Sequence, residues 1–306
     1  MAGARDYIDI LRPAHWTKNV FVFAGLVFGK KLLAPTDEAL VAVGQASLTF
    51  VSFCLASSAV YLFNDVVDRR ADRLHPSKGV RPIASGRIAV PVALALSGAC
   101  TLGAEGLALA IGRQLGVIVL AYLVLMGAYS LVLKRVMILD CMVISMGFCL
   151  RAVAGAVAVG VFISLWLVIC TFALCLFVAF GKRRGELAQL GDGGSAFRST
   201  LSGYTPELLA HMLDVTSGLA IVCFLLYAND ARTHAAFGSN ALVYTTPMVL
   251  FCVFRFSAEI QKGTCSGPVE FILKDVPFQI GLALWAAACA GIVYAGDVVT
   301  AWLPCQ

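Results

Sequence analysis

The sequence predicts an all-α integral membrane protein, and three observations carry that prediction. The first is composition: 60% of residues are hydrophobic and 13% charged, with a mean hydropathy of +0.87. A soluble domain carries about 25% charged residues. The second is a recurrence of apolar runs near the ~20 residues that a spanning helix needs. The third is that Lys and Arg are concentrated in alternate loops, the charge asymmetry that orients membrane helices. Together these exclude a water-soluble globule. The net charge of +5 calls for no nucleic-acid partner, because positive-inside topology and anionic lipid head groups account for a modest basic excess. Length alone permits two soluble domains. The apolar runs leave no break for a second one, so residues 1–306 read as a single polytopic membrane domain.

Residues 4–12 place Tyr7, Ile8 and Leu11 on one face and Arg5, Asp9 and Arg12 on others. That pattern fits a short interfacial helix, with Trp16 at head-group level. Arg5, Asp6, Asp9 and Arg12 precede any apolar run, so no cleavable signal peptide is expected. Candidate spans follow at 19–35, 41–63, 88–111, 115–133, 138–160, 163–181, 209–228, 241–257 and 277–295, about nine in all. The loops on the N-terminal side of the membrane hold 18 of the 23 Lys and Arg residues; the opposite set holds Lys30, Lys31, Arg113 and Arg232. An odd number of spans with this asymmetry places the N-terminus in the cytoplasm and the C-terminus outside. Cys54, Cys100, Cys149, Cys170, Cys175, Cys223, Cys252 and Cys289 lie within apolar runs without CxxC or zinc spacing, and read as small buried hydrophobes.

Two basic-side loops are long and polar, near 64–87 and 182–208, and chemistry is expected there. The first opens Asn64-Asp65-Val66-Val67-Asp68-Arg69-Arg70-Ala71-Asp72. If the preceding helix continues, Asp65, Asp68 and Asp72 fall at i, i+3 and i+7, within about a 60° wedge. Like charges on one stripe repel, and a cation relieves them. Oxygen-only ligands select a hard ion, and Mg2+ held by a few carboxylates plus substrate phosphates is the usual arrangement. Lys78 and Arg81 follow in a Pro/Gly-rich loop facing the carboxylates, as point charge and planar fork for phosphate. His75 reads as a loop or capping residue. The second loop begins Gly181-Lys182-Arg183-Arg184-Gly185-Glu186. Its cations serve topology or an anion, and Glu186 either faces a second metal, together with Asp192 further on, or pairs with Lys182. Arg151 stands well inside the span at 138–160. An arginine at that depth costs several kcal/mol unless paired or hydrated, and implies a polar cavity with a function.

Asn64-Asp65-x-x-Asp68-x-x-x-Asp72, followed by Arg81-Pro82-Ile83 and Ser85-Gly86, resembles the first aspartate-rich motif of the UbiA-type intramembrane prenyltransferase superfamily. Nine spans and Tyr129-Ser130-(x)3-Lys134 before a Leu139-Asp140 helix agree with it. The resemblance implies a ring of helices around a central polar cavity, open laterally to lipid, with Mg2+-diphosphate (Mn2+ as a substitute) at the cytoplasmic end. Aromatic prenyltransferases of the family carry a second pair of aspartates where this chain has Lys182-Arg183-Arg184-Gly185-Glu186. With Arg12-Pro13-x-x-Trp16-x-Lys18-Asn19, Asp72-Arg73-x-His75-Pro76-x-Lys78 and Lys274-Asp275, the chain is similar to the decaprenyl-phosphate phosphoribosyltransferase branch.

That resemblance implies phosphoribosyl pyrophosphate as the soluble donor and a polyprenyl phosphate as the membrane acceptor. Such a transfer gathers more phosphate than a prenyl transfer does, and Lys18, Lys78, Arg81, Lys182 and Arg183 supply cations for it. In this reading Asp65, Asp68 and Asp72, with Asn64 and Glu186, hold metal and carry the catalysis. Arg151 joins Lys182 and Arg183 at the acceptor phosphate. The setting is the inner membrane with the site facing the cytoplasm; an oligomer is compatible with it. Two alternatives stand beside it: a prenyltransferase acting on a quinone or haem precursor, and a transporter anchored on Arg151. A transporter gives no reason for three aspartates on one stripe.

Overall fold

A computed structural model describes residues 3–75, 78–190, 201–262 and 268–300. Among the described residues every regular element is a helix, with no strand. They group into two compact units, Met1–Phe162 and Ile163–Gln306.

In the first unit α1 (Ala4–Leu11) leads into a 3-10 stretch, Pro13–Phe23, then α2 (Ala24–Phe28) and a 3-10 turn, Lys31–Leu33. The long α3 (Thr36–Val67) and short α4 (Arg69–Leu74) follow, then α5 (Val90–Ile111), α6 (Arg113–Leu131) and α7 (Leu139–Ala158). The second unit holds α8 (Leu165–Leu190), α9 (Pro206–Ala228), α10 (Ala231–Phe237), α11 (Thr246–Lys262), α12 (Pro268–Lys274) and α13 (Val276–Thr300). Among the described residues eight helical segments are long and apolar enough to cross a bilayer, and the protein is a multi-pass membrane protein.

The apolar run at 19–35 forms no single helix. It nevertheless runs the length of the first unit. Arg12, just before it, reaches Asp65 near the last turn of α3. Leu26 packs with Ala42, Ala46 and Val159 toward the other end of that helix. A 3-10 helix rises about 2.0 Å per residue, so eleven residues plus the α2 turn cover about 30 Å, the thickness of a hydrocarbon core. Eight apolar helices among the described residues stand against the nine expected spans, and 19–35 is the one without a spanning helix. Close packing against α7 goes with this conformation. A Cβ on Gly155 would collide with the carbonyl of Val22, and one on Gly25 would lie 2.6 Å from the Ala156 Cα. Irregular backbone at membrane depth is tolerated where protein buries it, and Val22 is fully buried.

At ~1.5 Å per residue, the 32 residues of α3 span about 48 Å, well beyond the hydrocarbon core. Asp37 and Glu38 occupy its first turn, where the helix dipole favours negative charge. Small residues let α5 approach closely. Ser52 Oγ donates to the Ala104 carbonyl at 2.8 Å and Ser97 Oγ to that of Ala59 at 2.9 Å, polar contacts typical of membrane helix pairs. Ile10, Leu62, Ile83 and Ile88 form a buried cluster that ties α1 and the 83–88 loop to the end of α3. That cluster fixes the polar loop whose cations face the carboxylates. Tyr7 and Ile8 of α1 remain exposed, as an interfacial helix requires.

In the second unit α8 packs along α9, and Phe177, Phe256, Phe271 and Phe278 stack in sequence with centroid spacings of 4.9–5.3 Å. Asp275 opens α13 by accepting the Phe278 N–H at 2.8 Å and the Arg255 guanidinium at 2.7 Å. The hydrogen bond from Arg255 holds its carboxyl below the usual carboxylate range. Among the described residues the cysteines form no disulfide.

Candidate active site

Three carboxylates and their cations meet where α3 gives way to α4. The helix does not continue unbroken through them. Asp68 caps α3 with φ −85° and ψ 0°, yet Asp68 N–H still donates to Asn64 O at 2.9 Å and Asp72 N–H to Asp68 O at 2.8 Å. The break divides the expected stripe in two. Asp65 and Asp72, both buried, converge on one atom: Arg81 Nη1 donates to Asp65 Oδ1 at 3.1 Å and to Asp72 Oδ2 at 2.8 Å. Arg12 Nη2 adds bonds to both oxygens of Asp65, at 2.6 and 2.8 Å. Asp68 turns elsewhere, accepting Lys134 Nζ at 2.5 Å and Asn64 Nδ2 at 3.0 Å, while Lys134 also donates to Asn64 Oδ1 at 3.1 Å.

Each carboxylate is thus held by a cation from another element. Arg12 comes from the end of α1 in a left-handed conformation (φ 54°, ψ 56°), uncommon for a residue with a side chain. Lys134 comes from the α6–α7 turn. Arg81 comes from the loop rooted by Ile83, and Arg73 Nε steadies that loop by donating to the Ala84 carbonyl at 2.7 Å. His75 is the C-terminal cap of α4. Lys78 is half-buried in the same loop, and its carbonyl accepts the Arg81 N–H at 3.0 Å.

The donor chemistry fits a divalent hard ion. Two carboxylates reach within about 3 Å of one cationic nitrogen, and Asp68 and the Asn64 amide oxygen meet at Lys134. Among the described residues no group of three or more His, Cys, Asp or Glu side chains is placed to hold a metal ion, so Asp65, Asp68 and Asp72 do not form the single three-carboxylate stripe that the spacing predicts.

Deeper in the unit, Arg151 is buried and its guanidinium is fully enclosed by neutral groups. Nε donates to Asn19 Oδ1 at 2.7 Å, Nη1 to the Gly147 carbonyl at 2.8 Å, and Nη2 to the Tyr122 hydroxyl at 2.8 Å. The rings of Tyr122, Phe148 and Phe53 lie 4.7, 5.3 and 5.8 Å from its centre, within cation–π range. The polar surroundings expected of an intramembrane arginine are present. They engage the guanidinium itself, so Arg151 faces protein groups and not an open cavity. Lys18 is exposed and within electrostatic reach of Arg12 and Arg151.

In the second unit Arg183 is buried and donates to Glu186 at 2.8 Å, while the exposed Lys182 lies 3.8 Å from the same carboxylate. Of the two roles open to Glu186, pairing is the one seen, though with Arg183 before Lys182. Asp192 lies outside the described residues.

Sequence reasoning did not identify Arg12 as a partner of Asp65, Lys134 as the partner of Asp68, or Asn19 and Tyr122 as the partners of Arg151. A polar Asn19 opening an apolar run was the available signal for one of them. Tyr122, inside an ordinary apolar span, offered none.

Comparison with known proteins places these features in context. The UbiA prenyltransferase family model matches residues 20–256. A decaprenyl-phosphate phosphoribosyltransferase of Mycolicibacterium smegmatis is 32% identical over 295 residues, covering 94% of this chain and 92% of its own length. One from Mycobacterium tuberculosis is 33% identical over 293 residues, covering 94% of each chain. Among solved structures, a UbiA homolog from Archaeoglobus fulgidus bound to GPP and Mg2+ matches with a TM-score of 0.68 at 19% identity. The match covers 94% of this chain and 99% of that one, a likeness of fold.

Proposed function

The chain belongs to the UbiA prenyltransferase family, and on that premise we propose that it transfers a 5-phosphoribosyl group from phosphoribosyl pyrophosphate to a membrane polyprenyl phosphate, releasing diphosphate. The observation that carries this reading is a surplus of cations over carboxylates in the first unit. Arg12, Arg81 and Lys134 already balance Asp65, Asp68 and Asp72, and Lys18 and Lys78 come in addition. A prenyl transfer brings one diphosphate and a neutral acceptor. A phosphoribosyl transfer brings a diphosphate, a 5-phosphate and an acceptor phosphate, and the surplus matches that larger charge. The relatives named above bear the same activity in their names.

In this reading Asp65 and Asp72, with Asn64 and Asp68 beside them, hold a divalent ion, which when bound supplies positive charge to the leaving diphosphate. Arg12, Arg81 and Lys134 exchange their carboxylate partners for phosphate oxygens, and Lys78 closes on the donor from the same loop. A lipid phosphate oxygen attacks ribose C1 from the face opposite the diphosphate. The C1–O bond to diphosphate breaks through an oxocarbenium-like state, its electron pair leaves with the diphosphate, and C1 is inverted. The attacking phosphate is already an anion, so no proton has to move and no general base is needed. Catalysis rests on positioning and charge. The site faces the cytoplasm, where the soluble donor is found.

Radiolabel on the donor's 5-phosphate should enter the lipid phase when purified protein is given polyprenyl phosphate and Mg2+. EDTA should abolish the transfer, and excess Mg2+ or Mn2+ should restore it. Transfer undiminished by EDTA would remove the metal from this account.

A further inference from the structure

Pro13–Phe23 holds a 3-10 conformation for eleven residues. Such runs are uncommon beyond three or four residues, because the hydrogen-bond geometry is poorer than in an α-helix. Three residues per turn eclipses side chains at i and i+3, so the stretch has distinct edges. Trp16, Asn19 and Val22 share one edge, and all three are anchored. The Trp16 indole donates to Ser58 Oγ at 3.0 Å, Asn19 accepts from Arg151 and donates to Ser57 Oγ at 3.4 Å, and Val22 is buried against Gly155.

His15, Lys18 and Phe21 share a second edge, which Arg12 heads. Arg12 holds Asp65, and its guanidinium lies 4.9 Å from the Tyr61 ring centre. The His15 ring centre is 5.3 Å from that of Tyr61. Lys18 is exposed, and Phe21 is exposed with its ring 5.2 Å from Phe148. Steps along this edge are about 6 Å. It therefore runs from the carboxylates through an imidazole and an ammonium to a pair of aromatic rings. α-Helical winding would rotate Lys18 about 60° away from His15 and break the alignment.

That order is the order of groups in a prenyl phosphate: an anionic head, then hydrocarbon. We propose that His15 and Lys18 seat the phosphate of the lipid acceptor beside the donor site, and that Phe21 and Phe148 receive the first isoprene units. Arg151 is then a positioning residue that sets the register of this edge through Asn19. The assignment rests on the phosphoribosyl-transfer reading for the identity of the acceptor. It explains why Arg151 is enclosed by neutral groups although it lies near the site: its part is to hold the segment, and Lys18 meets the anion.

Equilibrium binding of radiolabelled farnesyl phosphate to purified protein, without donor, reads the edge directly. Lys18→Gln and His15→Gln should each weaken binding about tenfold, the loss of one charge-assisted contact. Asn19→Leu should weaken it similarly, whereas Asn19→Asp, which keeps an oxygen for Arg151 but loses the donor to Ser57, should weaken it less. Under turnover, Lys18→Gln should raise KM for the lipid with kcat within about twofold and donor KM unchanged. Unchanged farnesyl phosphate affinity in both Lys18→Gln and His15→Gln would overturn the assignment. A shift in donor KM instead would give the edge to the donor's 5-phosphate and overturn it equally. If wild type binds the prenyl phosphate through this edge but transfers no phosphoribosyl group, the function reading fails and the edge stands.

Discussion

Asp65→Asn should lower the transfer rate on the order of 10^3-fold, the scale seen when one preorganised charge contact is removed from a transition state. Asp65 is the most heavily engaged carboxylate of the site, accepting three hydrogen bonds from Arg12 and Arg81 together. An amide there keeps the shape but loses the charge, and its N–H2 group meets guanidinium donors if it turns the wrong way. Both cations lose their common partner, and the hard-ion donor set loses an anionic oxygen. Asp68→Asn should also fall by orders of magnitude, through Lys134 and Asn64. Initial rates at saturating substrates, with a thermal-shift control for folding, measure the effect. Full activity in Asp65→Asn with the fold intact would dismiss the carboxylate cluster as the reaction centre.

Gly155→Ala should be the most damaging small substitution away from the charges. Its Cβ would fall on the Val22 carbonyl, with the Val22 carbonyl carbon at 2.6 Å and Cα at 2.9 Å. These atoms are backbone and cannot swing aside, so the 3-10 stretch itself has to move. Overpacking of this kind costs about 3 kcal/mol, and the displacement pulls Asn19 from Arg151. The expected result is a clear drop in the thermal midpoint together with a weaker grip on the lipid substrate. Gly98→Ala and Gly106→Ala, whose added methyls meet open space, serve as controls and should behave like wild type. An unchanged midpoint in Gly155→Ala would mean that α7 and the stretched segment are not in the contact described.

Much of this arrangement was legible before any coordinates. The run at 41–63 lies inside α3, 88–111 matches α5, and 138–160 matches α7, because hydropathy over ~20 residues reports burial in lipid whatever the packing. The i and i+7 spacing of Asp65 and Asp72 announced their convergence, and the Pro/Gly loop after them announced Arg81. The conformation of 19–35 was not legible, since an apolar run has the same composition in either helix type. The 3-10 form goes with close approach to Gly155 and Ala156, more than 130 residues away. Asp68 leaves the stripe because α3 ends at it, and Val66-Val67-Asp68-Arg69 holds neither glycine nor proline to mark a break. Arg151 was recognisable by depth alone. Its partners were not, because Asn19 and Tyr122 reach it through tertiary contact.

Phosphoribosyl transfer and prenyl transfer differ in both substrates, and one assay separates them. Purified protein with Mg2+ is offered, in parallel, radiolabelled phosphoribosyl pyrophosphate with polyprenyl phosphate, and a radiolabelled prenyl diphosphate with an aromatic acceptor. The cation surplus around Asp65, Asp68 and Asp72 predicts label in the lipid phase from the first pair and no prenylated aromatic product from the second. Prenylation of the aromatic acceptor, with no phosphoribosyl label entering the lipid, would contradict it.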